Sequence, residues 1–298
     1  MKDLTCLDPG SKAPFPTFQT SPPPAPTSRR EGRTQARSVR SLPPVGHQGL
    51  PNPVKEDVGQ HLHARIRHPG SPFTVAKSLP VLFFGDLSSA RIATVGLNPS
   101  DQEYIDKRGN LLTDSAQRFA TLDSLGARDR LGLDDAQCEE AIRWMRRYFD
   151  TGSPVYHWFS ALERVVGGLG ASYADRSAAH LDLVQEATRP TWSALPDLER
   201  RTLLEADVPF LEWEIRAFPL RVVICTGKTV SVHVQRRLGV VVEETGTLAR
   251  VRWWIGSAEI DNRRVGFAGW NYPLARPTGL GASGERALGE LLRQRLHL

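Results

Sequence analysis

The chain reads as an α/β fold, a three-layer α/β/α arrangement on a mainly parallel central sheet, preceded by a disordered N-terminal tail. Three observations predict it. Two apolar runs of strand length, Arg91–Leu97 and Leu220–Cys225, each end abruptly near a glycine. Segments with apolar residues at helical spacing lie between and after them. Strands alternating with helices imply parallel neighbours joined by crossovers, with helices on both faces.

The elements follow in order. Met1–Lys77 is rich in Pro, Ser, Thr and Arg, with Ser21–Thr27 at its heart, and shows no sustained period, so disorder is expected there. It carries 11 Lys and Arg against 5 Asp and Glu, so the +5 net charge of the 298-residue chain resides in the tail and the remainder is near neutral. Residues 78–298 are long enough to bury one sizeable core. Val81–Gly85 and Arg91–Leu97 read as strands. Asp134 caps a helix over Asp135–Tyr148, with Ile142, Met145 and Phe149 on one face. A second helix covers His157–Val166 and stops at Gly167-Gly168. Ser177–Val184 is a short strand carrying polar residues, and Pro196 opens a helix over Asp197–Ile215, punctuated by Pro209. Leu220–Cys225 reads as a strand covered on both faces, followed by a helix to Leu238. Val240–Glu243, Ala249–Ile255 and Arg264–Ala268 read as strands, and Gly284–Arg295 as a final helix.

Several function classes are disfavoured. Thr226-Gly227-Lys228-Thr229 lacks the upstream glycine of a phosphate-binding P-loop, since Val222 stands in its place, and there is no dinucleotide-binding glycine fingerprint. Cys6, Cys138 and Cys225 form neither a metal-ligand pattern nor a disulfide framework. No metal or organic cofactor is expected. No apolar run spans a membrane and no signal-peptide core opens the chain, so a cytoplasmic location is expected.

The chemistry gathers at Gly96-Leu97-Asn98-Pro99-Ser100, where an apolar strand ends in a glycine, a neutral amide and a proline. The carboxyl ends of strands in open α/β sheets are where ligands bind. His180 and Asp182 stand two apart on a strand and project from one face. They form either a polar pair lining a pocket or, for His180, a core histidine bonded to backbone. Asp182 lies between Leu181 and Leu183, where a buried carboxylate without purpose is costly.

Five segments then align in order: Gly96–Ser100, Arg118-Phe119, His180–Thr188, Ile224–Val230 and Gly269–Leu274. This ordered set resembles the uracil-DNA glycosylase superfamily, most closely its mismatch-specific uracil/thymine branch, over roughly Arg91 to Leu280. The resemblance implies a DNA glycosylase of base excision repair, a monomer that cleaves the N-glycosidic bond of a flipped deaminated or mismatched base. It implies that Asn98 positions the attacking water, that the backbone around Gly96, Leu97 and Asn98 bonds the base, and that Asp182 reads the base edge. Asn271, Tyr272 and Arg276 fall in the loop that stabilises the departing base and enters DNA, Arg276 as a phosphate contact or a solvated side chain. Tyr104 and Phe119 are stacking candidates or core aromatics. Three departures from the family pattern stand out: Ser100 replaces a glycine, Asp182 an amide, and Asn271-Tyr272-Pro273 the usual His-Pro-Ser or Asn-Pro-Ser. An ionised Asp182 accepts hydrogen bonds only, so it suits an exocyclic amine or ring N–H; protonated, it would donate. The alternatives are a non-catalytic nucleobase or nucleic-acid-binding module and a hydrolase of free nucleosides.

Overall fold

The computed structural model describes residues 55–272 and 280–298. Helices are α1 Lys55–Arg67, α2 Asp135–Arg146, α3 Phe159–Leu169, α4 Asp197–Ala217, α5 Lys228–Leu238 and α6 Gly281–Leu296. Strands are β1 Ile92–Gly96, β2 Ala178–Asp182, β3 Val222–Thr226, β4 Val241–Leu248, β5 Val251–Ile260 and β6 Arg263–Trp270.

The strands form one mixed sheet in the order β2-β1-β3-β6-β5-β4. The first four are mutually parallel, and β5 and β4 add an antiparallel meander. β1, β2 and β3 are wholly buried, which is why β1 and β3 read as apolar runs, while β2 buries the polar His180 and Asp182. From β1 the chain passes to β2 on one side, then back to β3 on the other. Right-handed crossovers therefore carry α2 and α3 over one face and α4 and α5 over the opposite one. In keeping with this, α3 packs on α6 while α4 packs on α5.

The helix expected from Asp134 forms with a full capping box: the Asp134 carboxylate accepts from Gln137 N and the Gln137 side chain bonds back to Asp134 N. Pro209 sits inside α4 without ending it. Three expectations need correction. The tail does not extend to Lys77, because α1 forms and buries Leu62 and Ile66, at helical spacing, in the main core. The Pro-rich composition of the preceding residues masks that short period. Residues 1–54 lie outside the described residues.

Second, Val81–Gly85 is not a strand of the sheet. It runs antiparallel to β2, but only Phe84 and His180 form a bridge, exchanging hydrogen bonds of 2.8 and 3.0 Å. Farther along, Val81 N donates to Gln185 O and Val75 N to Ala187 O. The segment thus covers the sheet edge that β2 would otherwise expose. Third, Gly167-Gly168 does not stop α3. The helix runs to Leu169 and ends at Gly170, whose φ of 84° suits a residue without Cβ. The second glycine of the pair, Gly168, instead serves packing. A Cβ at Gly168 would lie 2.3 Å from Arg286 O, and one at Gly289 would lie 2.0 Å from Val165 O, so α3 and α6 meet backbone to backbone.

Candidate functional site

The parallel strands end at a common rim, and a cleft of about 570 Å³ opens there. β1 delivers Leu97 and Asn98, β2 delivers His180 and Asp182, β3 delivers Thr226, and Asn271 and Tyr272 follow β6. Five of the residues predicted from the sequence thus line the cleft together with Leu97: Asn98, His180, Asp182, Asn271 and Tyr272. Phe84, Tyr156, Trp158 and Phe159 add aromatic walls.

Asn98 is fixed by the chain that follows β2. Its Nδ2 donates to Pro99 O at 3.0 Å, Glu186 O at 3.2 Å and Thr188 Oγ1 at 3.3 Å. Carbonyls only accept, so it is the amide nitrogen that faces them. The Oδ1 atom has no partner among the described residues, which leaves an oriented acceptor beside the cleft.

Gly96 has a different reason from the one its motif suggests. It pairs in register with Asp182 on β2. A Cβ there would lie 2.3 Å from Asp182 Oδ1 and 2.9 Å from His180 Nε2. Gly96 therefore makes room for the polar pair of the neighbouring strand.

That pair belongs to a buried chain of four groups. Tyr173 Oη lies 2.6 Å from Thr94 Oγ1, which lies 2.7 Å from His180 Nδ1. His180 Nε2 faces Asp182 Oδ1 at 3.4 Å. Where Thr94 donates to Nδ1, Nε2 carries the proton and faces a carboxylate. Where Nδ1 donates to Thr94, Nε2 is an acceptor and suits a protonated Asp182. The hydroxyls can run either way, so the chain accommodates both states of Asp182. Burial pushes the Asp182 carboxyl above its ordinary range, and His180 opposes that rise. His180 is thus both buried and engaged: its partners are side chains, and its ring is packed among Phe84, Trp158 and Phe159.

A second buried carboxyl, which the sequence reading missed, also lines the cleft. Glu103 follows Asn98 by five positions and accepts from Tyr148 Oη, 3.0 Å from Oε1 and 2.8 Å from Oε2. Burial pushes it up to about 8, against the pull of the Tyr148 bond and of Arg118 Nε, 3.9 Å away. At neutral pH it holds its proton and can donate a hydrogen bond, unlike an ionised Asp182.

Other predicted residues fall elsewhere. Tyr104 is 2 % exposed and donates its hydroxyl to Leu79 O, and Phe119 is 1 % exposed. Both are core aromatics outside the cleft lining, because the turn after Asn98 folds Tyr104 inward and Phe119 stacks on Tyr148. Asn271 lines the cleft, yet its Oδ1 accepts from Arg252 N at 2.8 Å and extends the β5–β6 ladder. Only its Nδ2 is left for a ligand. Tyr272 is half exposed at the rim. Arg276 lies in 273–279, outside the described residues.

Among the described residues no group of three or more His, Cys, Asp or Glu could hold a metal ion, and no helix is long and apolar enough to cross a membrane. Cys138 and Cys225 are buried thiols. No family model matches the chain, and no curated protein matches it.

Proposed function

We propose that the protein is an N-glycosylase of the uracil-DNA glycosylase type, acting on a deaminated or mismatched base turned out of DNA. The observation that carries this reading is the placement of Asn98. Its amide nitrogen is held by three acceptors and its oxygen is left beside a cleft that Asp182 and His180 of the neighbouring strand also line. In the reaction Asn98 Oδ1 accepts from a water and holds it below the sugar. The water oxygen bonds to the anomeric carbon as the carbon–nitrogen bond breaks. The base leaves with the bonding electron pair, and the water gives its proton to solvent. Asp182 accepts from a ring N–H or exocyclic amine of the base, while the neutral Glu103 carboxyl supplies a donor from the cleft wall. Fixed dipoles aimed where charge develops contribute about a hundredfold or more each. Extrusion of the base costs a few kcal/mol and is least for a damaged or mismatched pair.

The test is a strand-nicking assay with oligonucleotides carrying uracil, thymine opposite guanine, hypoxanthine or xanthine, followed by alkali. Cleavage at one lesion that falls at least a hundredfold in Asn98→Ala, with Tm unchanged, is expected. A folded protein in excess that cuts none of them, yet binds the oligonucleotides, points instead to the non-catalytic module.

A further inference from the structure

Beside the cleft lies a second groove of about 390 Å³. Its wall is the side of α5 that carries Lys228, Ser231 and Gln235. Its floor is the face of the β4–β5 hairpin turned toward α5. Thr245 pairs with Trp254 and Thr247 with Arg252 across the two strands, so these four side chains share one face. The Trp254 Nε1–H donates to Ser231 Oγ at 3.1 Å and ties floor to wall.

The groove is selective in charge. No Asp or Glu lines it, whereas Lys228 and Arg252 are exposed and neither side chain has an ion-pair partner among the described residues. The acids of β4 do not line the groove and are already paired, Glu243 with Arg264 at 3.1 Å and Glu244, which precedes Thr245, with Arg295 at 3.5 Å. The groove is also continuous with the cleft, because Lys228 and Asn271 line both. Thr245, Thr247 and Gln235 line the same groove and supply neutral donors.

We infer that this groove seats the phosphodiester backbone of a nucleic-acid strand, next to the nucleotide held in the cleft. The inference rests on the proposed reading of the cleft, and it adds the path that the strand takes on leaving it. Two cations without ion-pair partners among the described residues, in a groove that no described acid lines, attract phosphates through counterion release. Hydroxyl and amide donors fix the register of a backbone without reading its sequence.

The experiment measures binding of the full chain to a fluorescein-labelled 12-nucleotide single strand of ordinary bases, by anisotropy across a salt series. Arg252→Ala removes one cation and Thr247→Glu places a charge on the floor. Arg264→Ala removes a cation of β6 that does not line the groove. Roughly tenfold weaker binding for the first two at low salt is expected, with the salt slope of Arg252→Ala reduced by about 1 and Arg264→Ala unchanged. Equal affinity for all three variants, no binding by the parent protein, or competition by polyglutamate as effective as that by unlabelled strand each overturns the groove. Binding through the groove without base release in the nicking assay removes the excision reading and leaves the groove. Excision with KM unchanged in Arg252→Ala does the reverse.

Discussion

Glu103 shows how one side chain sets a pH dependence for the whole chain. Its carboxyl has an ordinary value of 4.5 and is pushed up to about 8 by burial beside Tyr148. Between those values the folded protein binds a proton that the unfolded chain has released. Stability contributed by Glu103 is therefore full below pH 4.5 and is lost as pH rises toward 8, with a slope of up to about 1.4 kcal/mol per unit. Asp182 and Glu214, also raised by burial, act with the same sign. Glu103→Gln keeps an acceptor for Tyr148 and carries no charge at any pH. Urea unfolding at pH 5, 6.5 and 8 should give a flatter stability profile for the variant than for the parent. Parallel profiles would show that Glu103 ionises freely in the folded state.

At the scale of elements, the α3–α6 crossing separates two adjacent glycines by their surroundings. A Cβ on Gly167 would find Arg286 Nη2 at 3.7 Å, an ordinary contact, whereas one on Gly168 would meet Arg286 O at 2.3 Å and Glu290 N at 2.8 Å. Gly167→Ala should therefore stabilise the chain by up to about 1 kcal/mol through helix propensity. Gly168→Ala should destabilise it by roughly 1–3 kcal/mol, because two backbones must move apart. Thermal unfolding of both variants decides the matter; equal shifts of either sign would contradict this crossing. The same pair shows what a sequence reveals. The local signal, glycines after an apolar helix, implies a stop, and the contact that makes Gly168 necessary comes from a helix more than a hundred residues later. β1 and β3 were legible because burial on both faces writes itself as an unbroken apolar run. Asn98, His180 and Asp182 were legible because strand ends and period-2 faces locate them. Glu103 and Trp158 were not, since the turns that bring them to the cleft have no period to read. Tyr104 and Phe119 misled because an aromatic beside a motif reads alike whether it faces a ligand or the core.

On the scale of the molecule, four buried charges join α1, α4 and the long connections to the catalytic candidate. Arg130 clamps Glu186 with two bonds, Nη1 to Oε1 at 2.8 Å and Nη2 to Oε2 at 2.9 Å, and also donates to Ser78 O. Arg65 of α1 bonds Asp207 of α4 at 2.7 Å and approaches Glu186 at 3.7 Å. Asp207 in turn accepts from Gln185 N at 2.8 Å. Burial alone would raise Glu186, but Arg130 and Arg65 outweigh it and hold the carboxyl below its ordinary value. The network therefore fixes residues 185–188, and Glu186 O and Thr188 Oγ1 are two of the three acceptors that hold Asn98. Such a group is dear to break and cheap to replace: an unpaired buried charge costs roughly 3–5 kcal/mol, while a matched apolar or neutral substitution of both partners is often nearly neutral. Arg130→Met leaves Glu186 charged with only the more distant Arg65, and should lose about 3–5 kcal/mol in denaturant unfolding. Adding Glu186→Gln removes the stranded charge and should restore a large part of that loss. A double variant no more stable than Arg130→Met would mean that the Glu186 charge is not what the guanidinium of Arg130 is there to hold, and that the loop carrying Asn98 is fixed by packing instead.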